Sequence, residues 1–142
     1  MFLGTHTPKL DEKGRFFLPA KFRDELAEGL VVTRGQDHCL AIYPQSMFEQ
    51  MTRQVTAAPA TVKQVRDFQR MLAAGASDEV PDKQGRVSVP TALRNYAGLN
   101  KEIVVIGAVN HVEVWDAETW QNYSTEQEPI FAEMNEDLFP GI

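Results

Sequence analysis

The chain has 142 residues, 43% hydrophobic and 24% charged, with a formal net charge of −6 and a single cysteine. That length suits one globular domain or two small intertwined ones, and several classes are excluded: the longest apolar run, residues 103–109, is far short of the about 20 residues of a membrane span, no basic-then-apolar leader is recognisable, and a lone cysteine closes no intramolecular disulfide. A cytoplasmic protein is expected, and its acidity argues at first against a nucleic-acid partner, whose affinity normally comes from cations placed on phosphates.

In chain order, a first strand is expected at residues 2–7. The segment Asp11-Glu-Lys-Gly-Arg15 reads as a tight turn, because an Asp carboxylate can accept from the backbone two residues on and Gly14 can take a positive φ. A strand at 15–18 stops at Pro19, which suits a helix start, and a helix at 20–28 closes at Gly29. Residues 30–34 and 39–43 form a hairpin. Between 45 and 74 two helices are expected, separated by Ala57-Ala-Pro-Ala60; the second opens with a capping-box pattern, Thr61-Val-Lys-Gln64, and carries an apolar series Val62, Val65, Phe68, Leu72. A short strand near 77–80 leads into a second turn, Asp82-Lys-Gln-Gly-Arg86, with Gly85 in the glycine position. A strand at 86–89, Pro90, a helix at 91–97 closing at Gly98, and a hairpin of 103–106 with 111–115 follow. A last helix starts near Asp116 and carries Trp120 and Tyr123; beyond Pro129 the chain is acidic, with Phe131, Leu138 and Phe139 scattered through it.

The second series repeats the first. Residues 11–23 align with 82–94 at a shift of 71 with five of thirteen positions identical, and at a shift of 72 residues 31–35 align with 103–107 and 40–43 with 112–115. Charge is distributed unevenly over this plan. Residues 9–23 hold five cations against two acids and residues 82–94 three against one, whereas residues 124–142 hold five acids and no Lys or Arg.

A duplicated Asp-x-x-Gly-Arg turn followed by a strand, a Pro-started helix and a hairpin resembles the MraZ family, related to AbrB- and SpoVT-like regulators. The resemblance runs from Phe2 to about Tyr123 and includes the opening Met-Phe-Leu-Gly. It implies an α+β fold, a duplicated AbrB-like swapped-hairpin β-barrel with peripheral helices, divided as 1–56 (first half with its following helix), 57–75 (connecting helix), 76–123 (second half with its helix) and 124–142 (acidic tail). It also implies a sequence-specific DNA-binding transcriptional regulator, associated with the nucleoid, acting as a repressor on tandem repeats upstream of the division and cell-wall gene cluster. The implied partners are double-stranded DNA and further copies of itself in a ring-like homo-oligomer, with no membrane, cofactor, metal or small-molecule substrate.

The chemistry expected of the turns follows from side-chain shape. An arginine fork pairs with guanine O6 and N7 or grips phosphate, and a neighbouring carboxylate holds the fork in place. Asp11 and Asp82 are therefore expected to brace Arg15 and Arg86, the base-reading candidates, with Gly14 and Gly85 forming the turns. Lys9, Lys13 and Lys83, joined by Arg23 and Arg94, are expected to meet phosphates. Lys13 is replaced by Gln84 in the second copy and Lys21 by Ala92, so the two halves are unequal in charge. The alternative for a single Asp–Arg pair is a turn-closing surface ion pair worth roughly 0 to 1 kcal/mol. An enzyme finds little support: His6, His38, His111 and Cys39 lack the paired spacing of zinc ligands, and no nucleophile elbow, phosphate-cradling loop or His-Glu-x-x-His helix occurs. A protein-interaction module of antitoxin-like type, using the same barrel and the acidic tail, is the remaining alternative.

Overall fold

Two hairpins of five-residue strands form the centre of the structure, a computed structural model that describes residues 1–135 and 137–141. Glu136 and Ile142, both part of the acidic tail expected at 124–142, lie outside the described residues. Strand β3 (Leu30–Arg34) pairs with β4 (Leu40–Pro44), and β7 (Ile103–Gly107) with β8 (Val112–Asp116). These runs are rich in Val, Ile and Leu, residues that fit a pleated, half-buried surface. The hairpins join through β4 and β8, where Ala41 faces Glu113 between the pairs Leu40–Val114 and Ile42–Val112. Because Leu40 and Ile42 occupy the repeat positions of Val112 and Val114, this register is that of a pseudo-two-fold axis.

The short strands are exchanged between halves. Strand β1 (Thr5–His6) adds to β7 of the second half, and β5 (Ser77–Glu79) adds to β3 of the first, giving a six-stranded antiparallel sheet in the order β1-β7-β8-β4-β3-β5. Strands β2 (Arg15–Phe17) and β6 (Arg86–Ser88) form a separate antiparallel ribbon with Phe16 opposite Val87 at its centre, again on the pseudo-axis. Among the described residues β1 and β5 are the sheet's edges, so the sheet is open. The α+β class stands, but among the described residues no strand pairing closes a barrel.

Phe16, Leu18, Phe22 and Leu26 from the first half and Val87, Val89, Leu93 and Ala97 from the second fill one core against Leu30, Val32, Ile42, Ile103, Val105 and Val114. The first half supplies the larger residue at most paired positions. Short helices lie beside this core: α1 (Arg23–Leu26) after a 3-10 turn at Ala20–Phe22, and α4 (Thr91–Tyr96). The longer α2 (Gln45–Ala57) and α3 (Lys63–Gly75) pack on β3 and β4, while α5 (Ala117–Ala132) packs on β7 and β8.

Several boundaries differ from those expected. The first strand is interrupted at Gly4, φ +93°, and beyond β1 by Pro8, and Phe2 and Lys9 make only isolated bridges with Val109 and Glu102. The helix expected at 20–28 is one 3-10 turn and one α turn, fixed by buried Phe22 and Leu26. Pro19 and Pro90 cap their helices from outside rather than occupying the first helical position. Thr61 does not cap α3; the helix enters through a turn on Pro59, whose carbonyl accepts from the Val62 amide, and Val62 is its cap. Helix α5 runs through Pro129 to Ala132, taking in the first part of the acidic tail; Pro129 has no amide to offer the carbonyl four residues back, on exposed Thr125. No helix among the described residues is long and apolar enough to cross a membrane.

Candidate nucleic-acid interface

Alternation along a strand decides which side chains the ribbon presents. Phe16 and Val87 are each 1% exposed and anchor its inner face in the core. Arg15, Phe17, Arg86 and Ser88 therefore share the outer face, with Arg15 opposite Ser88 and Arg86 opposite Phe17. Phe17 is half exposed, and the Arg86 guanidinium lies 6.0 Å from its ring centre. Sequence reading passed over Phe17 and Ser88, although the period of two that buries Phe16 was the signal that placed them outward.

The turn at each end of this face is built twice in the same way. Asp11 Oδ1 accepts from the backbone amides of Lys13 and Arg15, both at 2.9 Å, and Asp11 Oδ2 accepts from Arg15 Nε at 2.9 Å. Asp82 Oδ1 accepts from Gln84 and Arg86 amides at 2.9 Å each, and its Oδ2 from Arg86 Nε at 2.7 Å. Backbone bonds from Gly14 to Asp11 and from Asp11 to Arg15, with their counterparts at 82–86, complete each turn. The amide of Arg15, more than its side chain, holds the Asp11 carboxyl below the usual carboxylate range, and the amide of Arg86 does the same for Asp82. Each carboxylate thus stays charged at neutral pH and fixes one edge of its arginine. Among the described residues the outer Nη groups of both arginines bond no protein atom.

Arg23 and Arg94 also bond the scaffold, Arg23 through Nε alone and Arg94 through both Nη atoms. Arg23 Nε donates to the Leu18 carbonyl at 3.0 Å, and Arg94 donates from Nη1 to the Val89 carbonyl at 2.8 Å and from Nη2 to Thr91 Oγ1 at 2.9 Å. Each also lies against the other half's turn: a Cβ on Gly14 would come within 1.6 Å of Arg94 Nη1, and one on Gly85 within 2.7 Å of Arg23 Nε. Both glycines have positive φ, +78° and +80°, so turn geometry and arginine packing both demand glycine there. Backbone bonds from Leu18 to Gly85 and from Val89 to Gly14 lock the same junctions.

Of the lysines, Lys9 lies 3.8 Å from Glu102, whereas Lys13 and Lys83 make no ion pair among the described residues. The residues weighed as zinc ligands are spread over separate contacts. His6 packs edge-on against Phe22, His38 lies beside Tyr96, and His111 stacks on Tyr43 and pairs with Glu113 at 3.0 Å. Cys39 is buried, donates to the Gln36 carbonyl, and has its thiol pushed up to about 12 by burial, with the Glu113 and Asp37 charges adding to the shift.

Comparison with known proteins gives this arrangement a family. A family model described as "MraZ protein, putative antitoxin-like" matches residues 1–71 and again 72–139. A protein of Cutibacterium acnes named transcriptional regulator MraZ is 70% identical over 139 residues, covering 98% of both chains. Proteins of the same name from Thermobifida fusca and Kineococcus radiotolerans are 59% and 56% identical over 142 residues, covering all of this chain and 99% of theirs. The double match falls on the two halves that exchange strands, and the chain belongs to the MraZ family.

Proposed function

We propose that the chain is a sequence-specific DNA-binding transcriptional regulator that reads bases with Arg15 and Arg86. The observation that carries this reading is the outer face of the β2–β6 ribbon, where two arginines, each fixed at Nε by an aspartate, keep their Nη ends free. A two-stranded ribbon fits the B-DNA major groove, about 12 Å wide, and an oriented fork suits the O6 and N7 acceptors of guanine. The antiparallel pairing of β2 with β6 relates the two forks by a pseudo-two-fold, as the two strands of DNA are related to each other. Lys13 and Lys83 then meet phosphates, with Lys9 contributing less because Glu102 lies beside it. Phe17 supplies an apolar surface for thymine methyl groups in the same groove.

The names of the relatives, all transcriptional regulators, favour regulation of transcription over enzymatic chemistry. Reciprocal strand exchange between the halves favours an AbrB-like swapped-hairpin architecture in which one chain does the work of two subunits. The family resemblance supports tandem repeats upstream of the division and cell-wall gene cluster as the target and repression as the outcome. A single chain offers few free cations, so tight binding requires several copies engaging several repeats, as a ring-like homo-oligomer would.

Mobility-shift titration on DNA from the chain's own upstream region tests the reading. Arg15→Ala and Arg86→Ala should each cost about 1 to 3 kcal/mol and relax sequence preference, whereas Lys13→Ala should weaken all DNA alike. Unchanged operator affinity in both arginine variants would overturn it.

A further inference from the structure

Helix α3 and the chain beyond residue 124 are the parts of the molecule that do not obey the repeat, and they carry opposite charge. Between α2 and α3 lies a hollow of about 300 Å³ lined by Val55, Ala58, Val62, Val65 and Phe68. On the far side of Phe68 a second hollow, of about 270 Å³, is floored by Met71, Leu72 and Tyr96 and edged by Arg34. Phe68 and Met71 remain about half exposed between them. The surrounding chain is cationic: Arg53, Lys63, Arg66 and Arg70 stand against Asp67 alone between residues 50 and 76. The C-terminal segment has the opposite character. Ile130, Phe131, Met134, Leu138 and Phe139 are all at least half exposed there, among five acids and no cation.

We propose that the acidic, apolar segment 126–141 of one copy docks in the α2–α3 groove of a second copy, resting on the self-association argued above. Each chain carries one groove and one segment. Groove against groove would oppose like cations, and segment against segment like acids, so charge selects groove against segment. Within one chain the two surfaces are built on different hairpins, α5 on β7 and β8 and α2 and α3 on β3 and β4. A contact between unlike surfaces repeats from copy to copy and closes as a ring when the rotation permits. The apolar side chains supply the burial, and the opposed charges set partner and orientation.

Light scattering on the full chain and two double variants tests this. Phe68→Asp with Met71→Asp spoils the groove, and Phe131→Asp with Phe139→Asp spoils the segment; none of the four residues is buried. Wild type should be larger than a monomer, while each variant should fall to the 16.0 kDa monomer at micromolar concentration. An equimolar mixture should give a particle of twice that mass, because one variant retains the groove and the other the segment. Circular dichroism establishes that each variant is folded; if an aspartate unfolds it, Lys63→Glu with Arg70→Glu replaces the groove variant and must also lower the mass. A monomeric wild type would overturn this proposal together with self-association. Variants of wild-type mass, or a mixture that stays monomeric, would overturn the docking surfaces alone and leave the DNA reading standing.

Discussion

Asp11 shows how one side chain can hold a turn and an arginine fork at once. Its carboxylate spans two backbone amides and the Arg15 Nε, and the amide of Arg15 contributes most to lowering its pKa. Alanine at position 15 removes the fork but keeps that amide. In Arg15→Ala the Asp11 carboxyl, followed by NMR titration, should therefore move only part of the way back toward its ordinary 3.8. A complete return would show that the side chain, rather than the turn, sets the charge. The pH dependence has a definite sign. A folded pKa below the unfolded one stabilises the fold fully above the ordinary carboxylate range and ceases to do so as pH falls through the depressed value. The difference in melting temperature between wild type and Asp11→Asn should thus be present at neutral pH and vanish in acid.

At the scale of elements, each half's short helix is clamped to the other half's turn by an arginine laid over a glycine. Gly14→Ala places a Cβ where Arg94 Nη1 lies and puts alanine at φ +78°. The left-handed backbone alone costs roughly 1 to 2 kcal/mol, and displacement of the guanidinium adds to it. Arg94→Ala instead leaves the Val89 carbonyl without its side-chain donor, a loss of about 1 to 3 kcal/mol. Because both changes break one contact, the double variant should lose less than the sum of the singles in urea unfolding. Arg94→Ala should also keep wild-type operator preference; relaxed preference at unchanged stability would make Arg94 a base reader rather than a clamp.

Across the whole molecule, strand exchange makes the halves one cooperative unit. Strand β1 finds its partner in β7, β5 in β3, and β2 in β6, so neither half completes its sheet alone. A chain cut at an inserted protease site within residues 58–62, between α2 and α3, should stay associated and unfold in a single transition. The fluorescence of Trp115 and Trp120, both in the second half, should change together with far-UV circular dichroism. Two separated transitions would mean that the halves are independent domains.

The duplicated turns and the hairpins were legible in the amino-acid order, because they depend on contacts a few residues apart, so Asp11, Gly14 and Arg15 and their counterparts at 82, 85 and 86 could be placed from sequence alone; the helix starts at Pro19, Pro90 and Thr61 were not, because neighbouring packing shifted them. Partner choice was not legible. Strands of two or three residues carry too little pattern to name the strand they pair with, and that pairing decides that the sheet stays open and that Arg15 and Arg86 share a face with Phe17. The same long-range packing lays Arg94 over Gly14 and Arg23 over Gly85 and places Glu102 beside Lys9. Sequence determined which cationic side chains the turns and short helices carry; only the tertiary structure decided what each one meets, because Glu102 and the glycines packed against Lys9, Arg23 and Arg94 come from the opposite half of the chain.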